Sequence, residues 1–218
     1  MPTLQELKDK WFLDVSDREQ FPPQTRHPDA LVQPHTDGNL ITPLLGGAAV
    51  MAEFYEQVEA MMNAADPGQY EVWVGSWRIQ PVKLLGVMQP APDAKTMILE
   101  AAKAGITVYY LGSGHLSAHS VARDFAKEVV AAGGQGSSDR RLPIFGSHHQ
   151  KFNIFRGPDN YWSATLGSCD FLFARWDTPD NLDENPNRPP EGYPTHDVAL
   201  KIQGPAVHDV ALHFASRT

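Results

Sequence analysis

His149 and Lys151 stand two residues apart in the run Ser147-His-His-Gln-Lys-Phe-Asn153. On an extended strand, side chains at i and i+2 share one face. An imidazole that can lose its proton and a fixed ammonium are thereby aimed at one spot. A phosphate ester fits that spot chemically: the lysine neutralises phosphoryl oxygens while the imidazole attacks phosphorus. Asn153 continues the face with an amide that can donate to a phosphoryl oxygen. Phe152 and Ile154 alternate to the other side, toward a core. Downstream, Gly167-Ser-Cys-Asp170 puts Ser168 and Asp170 on a shared face that can lie beside His149 and Lys151. Asp170 is expected to orient an imidazole and favour its cationic form; a turn residue making a local hydrogen bond is its structural alternative.

Five further residues are candidates for lining such a site. Trp77 ends a β-rich run and either flanks a substrate or packs at the rim. His148 lines the site or faces solvent from a loop. Arg175 and Trp176 either clamp phosphate and stack on it, or form a surface ion pair over an aromatic ring. His196, next to Asp197, is half of a coupled pair or simply opens a strand. Cys169, between two of the site residues, is expected to point away and to be buried, not nucleophilic. The spacing of His148, His149 and His196 matches no tetrahedral zinc pattern, and the chemistry calls for no metal or cofactor.

The elements that must hold these groups follow from periodicity and turn chemistry. Gly46–Ala65 reads as a helix, with Val50, Phe54, Val58 and Met61 forming one apolar stripe. Tyr70–Trp77 and Ile106–Leu111 read as buried strands. Asp93 caps a helix running to Ala104, closed by Gly105. Ser117–Ala132 is a helix stopped by Gly133-Gly134, and residues 133–143 form a polar loop. Lys151–Phe155 and Tyr161–Leu166 form a hairpin through Arg156–Asn160. Residues 177–194 are a proline-rich acidic loop, Thr195–Ile202 a strand, and Gly204-Pro205 opens a last helix. The order indicates an α/β fold with a mixed β-sheet layered between helices. Residues 1–40, rich in proline and charge, read as an N-terminal arm, and residues 41–218 as the domain that carries the single H-x-K. The glycine-rich stretches match neither a P-loop nor a dinucleotide fingerprint.

The chain has 218 residues, 42% of them hydrophobic, enough for a core. Its 18 basic and 26 acidic residues give a net charge of −8, which argues against a broad nucleic-acid footprint. The one cysteine excludes an internal disulfide. The segment Met1–Lys10 has no apolar h-region, and the longest apolar stretch, near residues 44–52, is too short to span a bilayer. A soluble protein is expected, cytoplasmic or exported by a signal-independent route.

With these residues together, the chain resembles the phospholipase D superfamily, specifically the first half of a two-motif member. His149, Lys151, Gly167, Ser168, Asp170 and Phe171 match the family's H-x-K and its following Gly-Ser-x-Asp-apolar segment, and the doubled histidine resembles the lipid-cleaving branch. Thr42-Pro43-Leu44, Val72–Trp77, Leu99–Val108, Phe173–Asp177 and His196–Ala206 resemble its other segments, so that the likeness covers roughly residues 38–217. Arg156 stands where the family has an aspartate that supports the site. The resemblance implies a phosphodiesterase that hydrolyses or transphosphatidylates phospholipid headgroups through a phosphohistidine. It also implies that a second H-x-K half, from another copy or from a longer chain, supplies the acid that protonates the leaving group. A fragment or processed half is favoured over a natural homodimer. Expected partners are a phospholipid or other phosphodiester, that second half, and transiently a membrane surface. The alternatives are a dimeric nuclease of the same superfamily and a degenerate half that only binds.

Overall fold

The structure, a computed structural model, describes residues 3, 5–6, 36–114, 119–141 and 148–217. The chain divides into a unit at Met1–Thr36 and a unit at Asp37–Thr218. In the first, Thr3 and Glu6 exchange hydrogen bonds: Thr3 N donates to Glu6 Oε2 at 2.7 Å and Glu6 N to Thr3 Oγ1 at 3.2 Å, a capping-box arrangement. The rest of the expected arm lies almost wholly outside the described residues.

The second unit is built on one seven-stranded sheet. Its strands are β1 (Leu40–Leu45), β2 (Glu71–Ser76), β3 (Thr107–Ser113), β4 (Gln135–Asp139), β5 (Lys151–Gly157), β6 (Tyr161–Gly167) and β7 (Val198–Gln203), in the spatial order β1-β7-β6-β5-β2-β3-β4. Strands β2, β3 and β4 run parallel, and the other neighbours pair antiparallel. The helices are α1 (Gly47–Met62), α2 (Ala94–Lys103), α3 (His119–Ala131) and α4 (Ala206–Ala215). The mixed α/β sheet expected from the sequence is therefore present, between two helical layers.

Alternation along the strands explains the layering. Val72, Val74, Val108, Tyr110 and Phe155 pack with Phe54 and Val58 of α1, Met97 and Ile98 of α2, and Phe125 and Val129 of α3. The intervening residues Leu111, Phe152, Ile154, Ala164 and Ile202 pack with Val207, Ala211 and Phe214 of α4. Asp93 caps α2 by accepting from Thr96 N at 3.0 Å. The β5–β6 hairpin turns at Asp159 and Asn160, whose φ values of 55° and 58° suit a type I′ turn.

Two strands differ from the sequence reading. Residues 135–139, expected within a polar loop, form β4 parallel to β3. As an edge strand it needs no apolar alternation, and Gly136 permits its close approach to α3, since a Cβ there would lie 2.2 Å from the Ala126 carbonyl oxygen. Leu40–Leu45, straddling the expected arm boundary, forms β1 on the opposite edge. Pro43 is tolerated there because an edge strand has one unpaired side.

The C-terminal ends of β2, β3 and β4, the start of β5, the end of β6 and the start of β7 meet at one end of the sheet. Ligands of open α/β sheets sit beyond the carboxyl ends of the strands. Among the described residues no helix is long and apolar enough to cross a membrane.

Candidate active site

Lys151 is the first residue of β5 and pairs in register with Gly167, the last of β6. The absence of a side chain at Gly167 suits close packing there, where a Cβ would lie 2.4 Å from the Val198 carbonyl oxygen. The lysine is 7% exposed. Its Nζ donates to the His149 carbonyl oxygen at 2.7 Å and stands 3.4 Å from Asp170 Oδ2. Burial lowers its proton affinity, and Asp170 works in the opposite direction.

Asp170 lies beyond the end of β6 and is buried. Its Oδ1 accepts from the backbone N–H of Trp77 at 3.0 Å and of Arg78 at 3.5 Å. The carboxylate thus ties the end of β2 to the start of β5. Burial pushes its pKa up to about 6, against the pull of Lys151 and the two backbone donors. The expectation that Asp170 orients an imidazole is not what the geometry provides: its partners are the lysine and the end of β2.

His149 precedes β5 and is exposed. Its ring lies against the Trp77 indole, with centroids 4.9 Å apart and planes at 59°. Partial burial, then the charges of Lys151 and Arg175, lower its pKa below the usual histidine value. The expected shift toward the cation is thereby reversed, and the neutral imidazole is the favoured form. A neutral imidazole is the form that can attack phosphorus.

Asn153 shares the face of Lys151, but its amide is engaged across the hairpin, donating to Thr165 Oγ1 at 3.0 Å. Ser168 donates to Asp197 Oδ1 at 2.5 Å. Arg175, at the end of a short 3-10 turn, places Nη1 3.5 Å from Asp197 Oδ2. Trp77 carries the Arg78 guanidinium 4.2 Å from its ring centroid and Lys151 Nζ at 5.7 Å.

The remaining candidates differ in burial. Trp176 is buried in the core against the Leu84–Gly86 segment and donates Nε1–H to the Leu84 carbonyl oxygen at 3.1 Å, so it offers no stacking face. His148 is buried, with burial and then the charge of Arg217 disfavouring its protonated form. His196 is exposed one residue before Asp197. Cys169 is partly buried, and burial pushes its thiol pKa far up. No group of three His, Cys, Asp or Glu among the described residues is placed to share a metal ion.

Asp197, which the sequence reading named only as the neighbour of His196, holds site residues in place. It is 2% exposed and accepts from Ser168 while facing Arg175. Its signal was an acidic residue directly before a strand.

No protein-family model matches the chain, and no curated protein matches it in sequence. Solved structures do. Polyphosphate kinase from Porphyromonas gingivalis is 12% identical over 94% of this chain, with a TM-score of 0.51, and the match spans 29% of the kinase. Nuc from Salmonella typhimurium, a phospholipase D family member, is 10% identical over 83% of this chain and 94% of its own, with a TM-score of 0.47. Yeast tyrosyl-DNA phosphodiesterase is 10% identical over 74% of this chain and 46% of its own, with a TM-score of 0.38. The chain therefore shares its α/β fold with a segment of the polyphosphate kinase.

Proposed function

We propose that this chain is one half of a phosphodiesterase of phospholipase D type, acting on a phospholipid headgroup. The observation that carries this reading is an exposed, preferentially neutral imidazole, His149, held against Trp77 next to the buried ammonium of Lys151 at the end of the sheet. His149 attacks phosphorus. A phosphorus–nitrogen bond forms as the bond to the headgroup oxygen breaks. A second imidazole, on a facing H-x-K half, gives its proton to that oxygen. The same group then takes a proton from water or an alcohol, which attacks phosphorus and returns His149 free. Hydrolysis and transfer differ only in that second acceptor. One imidazole cannot serve both sides of an in-line displacement, which is why a second half is part of the reading.

Two observations favour a lipid over a nucleic acid. The chain carries a net charge of −8. At the site end of the sheet, Leu45, Val198 and Leu166 are 52%, 50% and 38% exposed, Val198 directly after Asp197 and Leu166 two residues before Ser168. The test is turnover of phosphatidylcholine vesicles and of single-stranded DNA by the protein in the assembly it forms in solution. His149→Ala is expected to abolish release of choline while leaving the circular-dichroism spectrum unchanged. Equal turnover by the variant excludes the reading; cleavage of DNA alone overturns its lipid part.

A further inference from the structure

Arg175 has no part in the proton transfers above, yet its surroundings fix where its charge stands. Its backbone is pressed against the start of α1: a Cβ on Gly47 would lie 1.7 Å from the Arg175 carbonyl oxygen. Its guanidinium meets Asp197 Oδ2 at 3.5 Å. Asp197 is buried, and its other oxygen accepts from Ser168 Oγ at 2.5 Å. Ser168 is itself fixed at the start of β7, donating N–H to the Val198 carbonyl oxygen at 3.1 Å and accepting from Val198 N at 3.2 Å. The chain β7–Ser168–Asp197–Arg175 therefore ends in a guanidinium whose side chain is 34% exposed. Gly167, the neighbour of Ser168, pairs in register with Lys151, which sets this chain beside the ammonium, and the Arg175 charge disfavours protonation of both His149 and Lys151.

Lys151 is already matched by Asp170 at 3.4 Å. A phosphodiester anion arriving there meets a charge-compensated pair, and further charge develops on its oxygens as phosphorus becomes five-coordinate. Arg175 presents a planar fork of five donors, and Asp197 stands 3.5 Å from one of its nitrogens. The remaining N–H groups match two phosphoryl oxygens better than a lysine does.

We propose that Arg175 is a second phosphoryl-binding group of this site, aimed by Asp197, which Ser168 holds in place. The proposal rests on the phosphodiester reading of His149 and Lys151. It assigns the non-bridging oxygens of the substrate to Lys151 and Arg175 jointly, and gives Asp197 a positioning role.

The test uses the full chain in its solution assembly, with inorganic phosphate titrated by calorimetry beside vesicle turnover. Arg175→Ala is expected to weaken phosphate binding about tenfold or more and to lower kcat by about 10²–10³-fold. Added guanidinium ion is expected to restore part of both. Arg175→Lys keeps the charge and the fold and recovers less than the rescued alanine variant does, because it lacks the fork. Guanidinium rescue is expected to vanish when Asp197→Asn is combined with Arg175→Ala, a result that a merely structural Asp197 does not give. The proposal is overturned if a folded Arg175→Ala protein binds phosphate and turns over like the parent, or if guanidinium does nothing for it. If His149→Ala is inactive in that same comparison, the phosphodiester reading stands and only the role of Arg175 falls. If His149→Ala is fully active, the reading falls, and the phosphate titration still judges Arg175.

Discussion

Lys151 and Asp170 form an ion pair with Nζ and Oδ2 3.4 Å apart and side chains only 6% and 1% exposed. Each partner also binds backbone, Lys151 at its own His149 carbonyl and Asp170 at the N–H groups of Trp77 and Arg78. The pair is thus a cross-tie between the start of β5 and the end of β2, and it sets both the ammonium and the indole that faces His149. Removing one partner of such a pair leaves an uncompensated buried charge.

Lys151→Met alone, which strands the buried Asp170 carboxylate, is therefore expected to destabilise the protein by about 3–5 kcal/mol near neutral pH, and Asp170→Asn alone, which resembles the protonated acid that burial favours, by less. The double variant, with neither charge, is expected to recover much of that loss. Urea unfolding of the four proteins, read as a double-mutant cycle, checks it. Losses that simply add show that the two side chains act independently.

The acid limb of turnover follows from two protonations. His149, with its pKa lowered, stays neutral further into the acid range than an ordinary histidine. Asp170, pushed up to about 6, takes its proton there and stops countering Lys151. A profile of kcat/KM is expected to fall below about pH 6 with a slope steeper than one proton, and Asp170→Asn is expected to reduce the slope to one. The stability sign is opposite to that of an ordinary buried-pair carboxylate. The folded-state pKa of Asp170 lies above the unfolded value, so its contribution is fully present below about pH 4 and is lost as pH rises through about 6. A single-proton limb in the parent protein contradicts this assignment.

The sequence carried the elements whose periodicity or caps are local. The α1 stripe, the Asp93 cap of α2, the Gly133 stop after α3 and the β5–β6 hairpin all announce themselves within a few residues. The two edge strands did not. β4 reads Gln-Gly-Ser-Ser-Asp and is a strand only because β3 offers it a ladder, and β1 carries a proline that only an edge tolerates. At the site, the i and i+2 spacing of Lys151 and Asn153 put both on one face of β5. What each side chain binds was not legible, because the partners are distant in sequence. Trp77 lies 93 residues from Asp170, and Ser168 lies 29 from Asp197. Trp176 looked like a stacking residue by type and position, but the apolar core beside Leu84 and Gly86 claims it.

Arg156 occupies the place where the resembled family has an aspartate, and its position in the fold decides what that exchange means. It pairs in register with Glu71, the first residue of β2, whereas the site lies past the last. Five residues along a strand separate it from Lys151, about 17 Å at 3.4 Å per residue, and it points to the α4 face. There Nη1 meets Glu71 Oε1 at 2.6 Å, and the guanidinium carbon lies 5.1 Å from the Trp162 ring centroid. Restoring the family residue with Arg156→Asp is therefore expected to leave turnover within about twofold and the acid limb unmoved, since no charge near His149 changes. It is expected to lower stability by about 1 kcal/mol, because two carboxylates then face each other across the strand pair. Arg156→Gln, which drops the ion pair without the repulsion, separates the two contributions and is expected to cost less. Thermal unfolding and vesicle turnover of the three proteins decide the matter. A tenfold gain in turnover on Arg156→Asp means that this end of β5 is coupled to the site by a route the static geometry does not contain.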